Sequence, residues 1–153
     1  MNIQKMLVAL SVLVMVATVA PSARAETAAA PLYDRLGGLK GITVVVDDFI
    51  NRLVANKQLN KNPAINAGRK RSPAPYLKFQ VSQLICELSG GPCKYTGKSM
   101  KESHAHLNIS ENEWGVMAGE FQKSLNKYKV PAGEQKDLFD MVGKTKADIV
   151  VRK

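Results

Sequence analysis

Apolar residues return along this chain at intervals of three and four, the spacing of one helical face. Ile42, Val45, Val46, Phe49, Leu53 and Val54 predict an amphipathic helix that runs to about Ala55. The β-branched run Val44-Val45-Val46 would suit a strand by itself, but the period of the longer window is helical. Leu77, Val81, Leu84 and Leu88 predict a helix from Tyr76 to Leu88. Gly90-Gly91-Pro92 ends it in the expected order, glycine just past the end and proline beyond. Trp114, Met117, Phe121, Leu125 and Tyr128 mark a further helix from about Glu111 to Tyr128, broken by Val130-Pro131. A last helix carries Leu138, Val142 and Ile149, and a short first one, Leu32 to Leu36, stops at Gly37-Gly38. The stretch from Asn60 to Pro75 is polar and holds Pro63, Pro73 and Pro75, which predicts a loop with at most a turn of helix. There is no internal repeat and no convincing strand, so the expected class is all-α.

The first residues stand apart from this pattern. Lys5, an apolar run from Met6 to Ala20 and the small-x-small triplet Ala23-Arg24-Ala25 read as a secretory signal, residues 1–25. The run is short for a bilayer span of about 20 residues. Cleavage after Ala25 leaves 128 of the 153 residues: a linker at 26–31 and one domain at 32–153, long enough for a real core and free of a stable membrane anchor. The expectation is export, to the periplasm. The signal carries two basic residues and no acidic one, so the net charge falls from +9 to +7. Lysines scattered over amphipathic helices are usually a solvated face. The one dense cluster, Arg69-Lys70-Arg71, lacks interleaved aromatics, so nucleic acid is not the expected partner. A basic rim suits carboxylate-bearing ligands.

Candidate chemistry is sparse. There is no Gly-x-Ser-x-Gly elbow, His-Glu-x-x-His pair, phosphate-binding loop or zinc-ligand spacing. Asp47 and Asp48 are adjacent and diverge on a helix. Glu111 and Glu113 sit in a first turn, where they complement the helix dipole. Cys86 and Cys93 either close a disulfide after export or remain two thiols. No Cys-x-x-Cys-His motif is present for covalent haem attachment. Both histidines lie in Met100-Lys101-Glu102-Ser103-His104-Ala105-His106-Leu107, between a capping box at Ser99/Glu102 and a second at Ser110/Glu113. At about 100° per residue, Met100, His104 and Leu107 share an apolar face and His106 points away. That pattern fits a packed core histidine or the proximal ligand of an iron porphyrin. A ligand imidazole must be neutral, with its other nitrogen held by a hydrogen bond, for which the Met100 carbonyl one turn earlier is placed.

The order Leu32-Tyr33-Asp34-Arg35-Leu36-Gly37-Gly38, Val44-Val45-Val46-Asp47-Asp48-Phe49, Gly90-Gly91-Pro92, Tyr95-Thr96-Gly97, Met100-Lys101-x-x-His104 and Val130-Pro131 resembles a group 1 truncated haemoglobin. The resemblance runs from Leu32 to about Val150 and is most specific from Gly90 to Ile109. It implies a truncated globin, a two-over-two helical sandwich around non-covalent haem b. His104 then becomes the iron ligand. Tyr95, Met100, Ile109 and Trp114 line the haem, with Phe49, Ile50, Leu77, Val81 and Leu84 completing the pocket. Two positions depart from the family pattern. Ile50 stands where a tyrosine usually hydrogen-bonds bound oxygen, and no phenylalanine occurs between Asn60 and Pro75. The nearest polar groups on the facing helix are Tyr76, Gln80 and Gln83, with Lys78 kept as a candidate sixth ligand. The signal pattern adds export, and the resemblance implies a haem protein that binds a diatomic gas, O2 or NO, with CO as a further ligand. Its alternatives are a haem redox enzyme, such as an NO dioxygenase served by a reductase the sequence does not identify, and a basic helical interaction module without cofactor.

Overall fold

Ile42, Val46, Phe49 and Ile50 fall on one side of a helix, and all four are buried in the computed structural model, which describes residues 30–151. The helix they belong to, α2 (Gly38–Ala55), follows the single turn α1 (Leu32–Arg35). After a 3-10 turn at Leu59–Lys61 come α3 (Pro63–Arg71), α4 (Ala74–Leu88) and α5 (Met100–His104). The chain ends with α6 (Glu111–Lys127), α7 (Ala132–Gly143) and α8 (Lys146–Ile149). No strand occurs among the described residues, only a single bridge between Ile109 and Val150. None of the helices described is long and apolar enough to cross a membrane. The expected signal and its cleavage site lie outside the described residues, as does most of the 26–31 linker.

The core is built where α2 crosses α4 on one side and α6 on the other. Phe49 meets Phe121 of α6 at a ring separation of 5.0 Å, and Phe121 meets Phe139 of α7 edge-on at 5.4 Å. These tilted pairs add about 0.5–1.5 kcal/mol each beyond the area they bury. Leu125, Leu138 and Ile85 complete the cluster. Helix α2 is thus packed between α4 and α6, and α7 joins α6 through Phe139.

Beside this apolar seam runs a polar one. Asp48 on α2 accepts hydrogen bonds from Arg52 Nε at 2.5 Å, Lys127 Nζ at 2.5 Å and Ser124 Oγ at 2.8 Å. Burial pushes the Asp48 carboxyl up, but the three donors outweigh it and bring it down to about 2.

Several expectations are corrected. The stretch read as a loop, Asn60 to Pro75, contains the nine-residue α3. It has no buried residue, which is why no apolar period announced it. Its signal was the cap: the Asn62 side chain accepts from the amides of Ala64 and Ile65, and Pro63 opens the helix. Arg69 of the basic cluster turns back, donating at 2.6 Å to the Leu53 carbonyl at the end of α2. The last helix is two, parted after Gly143, where the Thr145 hydroxyl donates to the Val142 carbonyl. Val54, Leu88 and Tyr128, expected on apolar stripes, are exposed.

Cys86 and Cys93 form a disulfide, with Cα atoms 5.7 Å apart. The reversal between them needs glycine at position 91. A Cβ there would stand 2.3 Å from the Tyr33 ring and 2.8 Å from the Cys86 carbonyl oxygen.

Two measurements check this account. Asp48 takes up its proton near pH 2 when folded and near 3.8 when unfolded. Its contribution, about 2 kcal/mol, is therefore complete above about pH 4 and lost as pH falls towards 2. Asp48→Asn is expected to lower the urea midpoint at pH 7 and to flatten its decline between pH 4 and 2. Asn62 caps α3 and also donates to the Leu107 carbonyl and to Glu113. Asn62→Ala is expected to cost about 1–2 kcal/mol in urea unfolding.

Candidate functional site

The histidine helix α5 is fixed at its start by its own residues. The Ser99 side chain accepts from the Glu102 amide, and Glu102 reaches back to the Ser99 amide, completing the predicted capping box. A second box, Ser110 with Glu113, opens α6. Between them His104 is half-buried and His106 is exposed, the two directions expected from helical phase. His104 Nδ1 lies 2.8 Å from the Met100 carbonyl oxygen. A carbonyl can only accept, so Nδ1 carries the hydrogen and the neutral ring keeps its lone pair on Nε2. Burial holds the His104 pKa below its ordinary value. The Met100 hydrogen bond opposes that shift, and the nearby charge of His106 adds to it. The neutral tautomer with Nε2 free is the form a metal ligand needs.

Helix α4 has two apolar faces. Ser82, Ile85, Cys86 and Ser89 are buried and lie on one side. Leu77, Val81, Leu84 and Leu88 lie on another, roughly 120° round the helix. Leu77, Val81 and Leu84 are half-buried, and Leu88 is 52% exposed. The stripe that periodicity singled out is thus the less covered face, while the tightly packed one includes two serines that no apolar count would select. On the flank of the open stripe, Gln80 Oε1 is buried without a hydrogen-bond partner. An amide end in that state costs about 1–3 kcal/mol unless a partner reaches it. Lys78 is engaged elsewhere, in an ion pair with Asp47 of α2 at 2.6 Å, which argues against the sixth-ligand role considered for it.

The other expected lining residues divide into two groups. Phe49 and Ile50 belong to the core cluster, and Leu77 and Val81 pack against it from the side. Leu84, Tyr95, Met100 and Trp114 are half-buried without joining that cluster. Ile109 is buried and meets Val150 just beyond α8, the element on which α5 mainly rests. The Tyr95 hydroxyl donates to the Lys98 carbonyl at 2.7 Å, and burial raises its pKa, helped by the neighbouring Tyr76 phenol. Sequence reasoning passed over Asn62, which ties the Leu107 carbonyl beyond α5 to the cap of α3. It named Gln80 among the polar groups nearest the pocket, beside Tyr76 and Gln83, without separating the three.

A flat apolar ligand fits this donor set. The less covered stripe of α4 offers apolar contact, and His104 on α5 offers a neutral imidazole nitrogen. A separate cavity of about 150 Å³ lies between α1, α2, α4, α6 and α7, lined by Leu36, Val45, Ile85, Leu125, Val130 and Leu138 among others. None of the expected haem-lining residues borders it.

Comparison with known proteins supplies the frame for this geometry. The bacterial-like globin family model matches residues 31–151. The group 1 truncated hemoglobin GlbN of Mycolicibacterium paratuberculosis is 33% identical over 104 residues, covering 67% of this chain and 71% of that protein. Its counterpart from a Nostoc species is 26% identical over 119 residues, covering 78% of this chain and 96% of that one. Among solved structures, the truncated hemoglobin of Tetrahymena pyriformis in the Fe(III) form superposes with a TM-score of 0.69 at 20% identity, over 80% of this chain and 99% of that one. The 2/2 hemoglobin of a Synechococcus species, in the cyanomet state with covalently attached heme, gives 0.69 at 19% identity, over 80% and 100%.

Proposed function

Since the chain belongs to the bacterial-like globin family, as a group 1 truncated globin, we propose that it binds haem b non-covalently and takes up a diatomic gas, O2 or NO. The observation that carries the reading is the state of His104. It is half-buried and neutral, its Nδ1 hydrogen is held by the Met100 carbonyl, and its Nε2 is free. Bound haem would supply an iron that this nitrogen would hold and that would take up the gas. The chain's part is to hold that nitrogen in one tautomer and to keep water from the opposite side. The half-buried stripe of Leu77, Val81 and Leu84 on α4, less covered than the tightly packed face, supports an apolar planar ligand. Non-covalent retention is supported by the reactive groups themselves, since both cysteines are spent in the disulfide. The disulfide also supports export to the periplasm, because such bridges persist in oxidising compartments.

We read the distal wall as apolar at Ile50, Leu77 and Val81, none of which can donate a hydrogen bond. Such a bond to bound oxygen resembles one to a charged group, about 1.5–3 kcal/mol. Its absence at these positions speeds oxygen loss and favours CO or NO, which depend on it less. Gas binding by haem is preferred to a cofactor-free interaction module because Arg69, the first residue of the basic cluster, is turned back onto the Leu53 carbonyl at the end of α2.

His104→Ala is expected to abolish or rearrange the visible haem spectrum, whereas His106→Ala leaves it nearly unchanged. Equal losses from the two substitutions would refute the assignment. Ile50→Tyr is expected to slow oxygen dissociation by roughly ten- to a hundredfold in stopped-flow, since about 1.4 kcal/mol is a factor of ten. A native off-rate already as slow as the variant's would place a donor in the pocket at another position.

A further inference from the structure

The residue on which the proposed function depends sits on a helix too short to hold itself. Helix α5 has five residues and none is buried. An isolated helix needs roughly 12–15 residues to be even marginally stable. The position of His104 is therefore set by what flanks it. On the far side the chain is well tied. The Leu107 amide donates to the His104 carbonyl at 2.9 Å, the Leu107 carbonyl accepts from Asn62 at 3.0 Å, and Ile109 is buried beside Val150.

The near side is residues 93–99, which form no regular structure. Two ties join this segment to α4. One is a hydrogen bond from the Tyr95 amide to Glu87 Oε2 at 3.1 Å, in an exposed position. The other is the disulfide, whose Cys86 end is completely buried in the α2–α4 core. Beyond Cys93 the segment behaves as one piece. The Tyr95 hydroxyl donates to the Lys98 carbonyl, and the tyrosine ring lies so close over Gly97 that a Cβ there would stand 2.3 Å from its oxygen. Lys98 immediately precedes the Ser99 cap. A shift at Cys93 is thus passed to the start of α5 rather than absorbed on the way.

We propose that the Cys86–Cys93 disulfide is a positioning device for His104, and that opening it weakens the hold on haem. The inference rests on the reading of His104 as the iron ligand. Opening needs a dithiol. One of its thiolates attacks Sγ of Cys93, the half-buried sulfur, and the Cys86 sulfur leaves as thiolate and takes a proton. The second thiolate of the reagent then closes the reagent's own disulfide and releases Cys93. Two electrons and two protons pass from dithiol to bridge. The α2–α4 core remains, while 93–99 keeps only the exposed bond to Glu87 among the ties described.

The test uses the full mature chain, bridge intact, with dithiothreitol as the reductant and Cys93→Ser as a second route to the open state. In the haem-free protein, opening the bridge is expected to speed amide hydrogen exchange across residues 94–107 by about tenfold or more, while α2, α6 and α7 keep their protection. In the haem-loaded protein, transfer of haem to excess apomyoglobin accelerates by about tenfold, the ferrous iron–histidine stretching band shifts or broadens, and reoxidation reverses both. Exchange that rises equally in every helix, with the iron–histidine band unmoved, would reduce the bridge to a general staple and overturn the proposal. So would haem transfer that is the same with the bridge open and closed. Should Cys93→Ser fail to fold, reversible reduction of the native chain gives the same comparison. If the oxidised chain takes up no haem, the proposed function fails, and the exchange map still decides whether the bridge holds the His104 segment.

Discussion

Helix α2 is wedged between α4 and α6, and the rest of the structure depends on that wedge. Val46, Phe49, Phe121 and Leu125 are all buried at that contact. Their packing orients α4 and α6, and through Phe139 it orients α7. Removing the ring of Phe121 would open a cavity shared by three helices, the kind of change that costs about 3–5 kcal/mol. The Asp48 seam lies beside this contact and fixes its register, because a carboxylate that accepts from Arg52, Ser124 and Lys127 together does so in one alignment of α2 and α6.

The wedge leaves α4 with more apolar surface than the protein covers. Its inner face, Ser82, Ile85, Cys86 and Ser89, is small enough to let α2 come close. The bulkier residues Leu77, Val81, Leu84 and Leu88 are turned to the side. Apolar area left open costs about 25 cal/mol for each Å² that a ligand would cover. The same surplus that would be a liability in a free-standing bundle is a favourable term for a flat hydrophobic ligand. The buried, unpaired Gln80 oxygen is a second unfinished group on the same helix.

Opposite in character is the segment from Cys93 to Ile109. It buries little, and it is held by specific links: a disulfide, two capping boxes, the Asn62 side chain and a single bridge to Val150. Each link acts at one point, so each limits one displacement of His104. An imidazole that must present Nε2 in a set direction is better served by such links than by a greasy contact, which is non-directional.

How much of this was legible beforehand follows from which forces are local. Helical period placed α2, α4 and α6 correctly, because amphipathic faces are written at fixed intervals. Capping boxes bounded α5, because Ser99 and Glu102 need only each other. Phase separated His104 from His106, and the Met100 carbonyl followed from one turn of helix. Helix α3 escaped notice because it buries nothing and its one local signal, Asn62 followed by Pro63, sits in a stretch whose prolines also read as a loop; the partners that tie Asn62 into the fold, Leu107 and Glu113, lie 45 and 51 residues away. The division of the α4 side chains into a packed face and an open one was equally invisible, since a run of leucines does not say which neighbour comes close. The union of Cys86 with Cys93 was undecided for a similar reason: spacing allows it, but only the reversal at Gly91 against Tyr33 brings the two sulfurs together. The sequence by itself determined helices α2, α4 and α6, the capping boxes that open α5 and α6, and the facing of the histidines, all of which depend on residues within a turn or two. Only the tertiary structure decided which apolar faces stay open and how the histidine segment is tied down, because those depend on contacts between residues far apart in the chain.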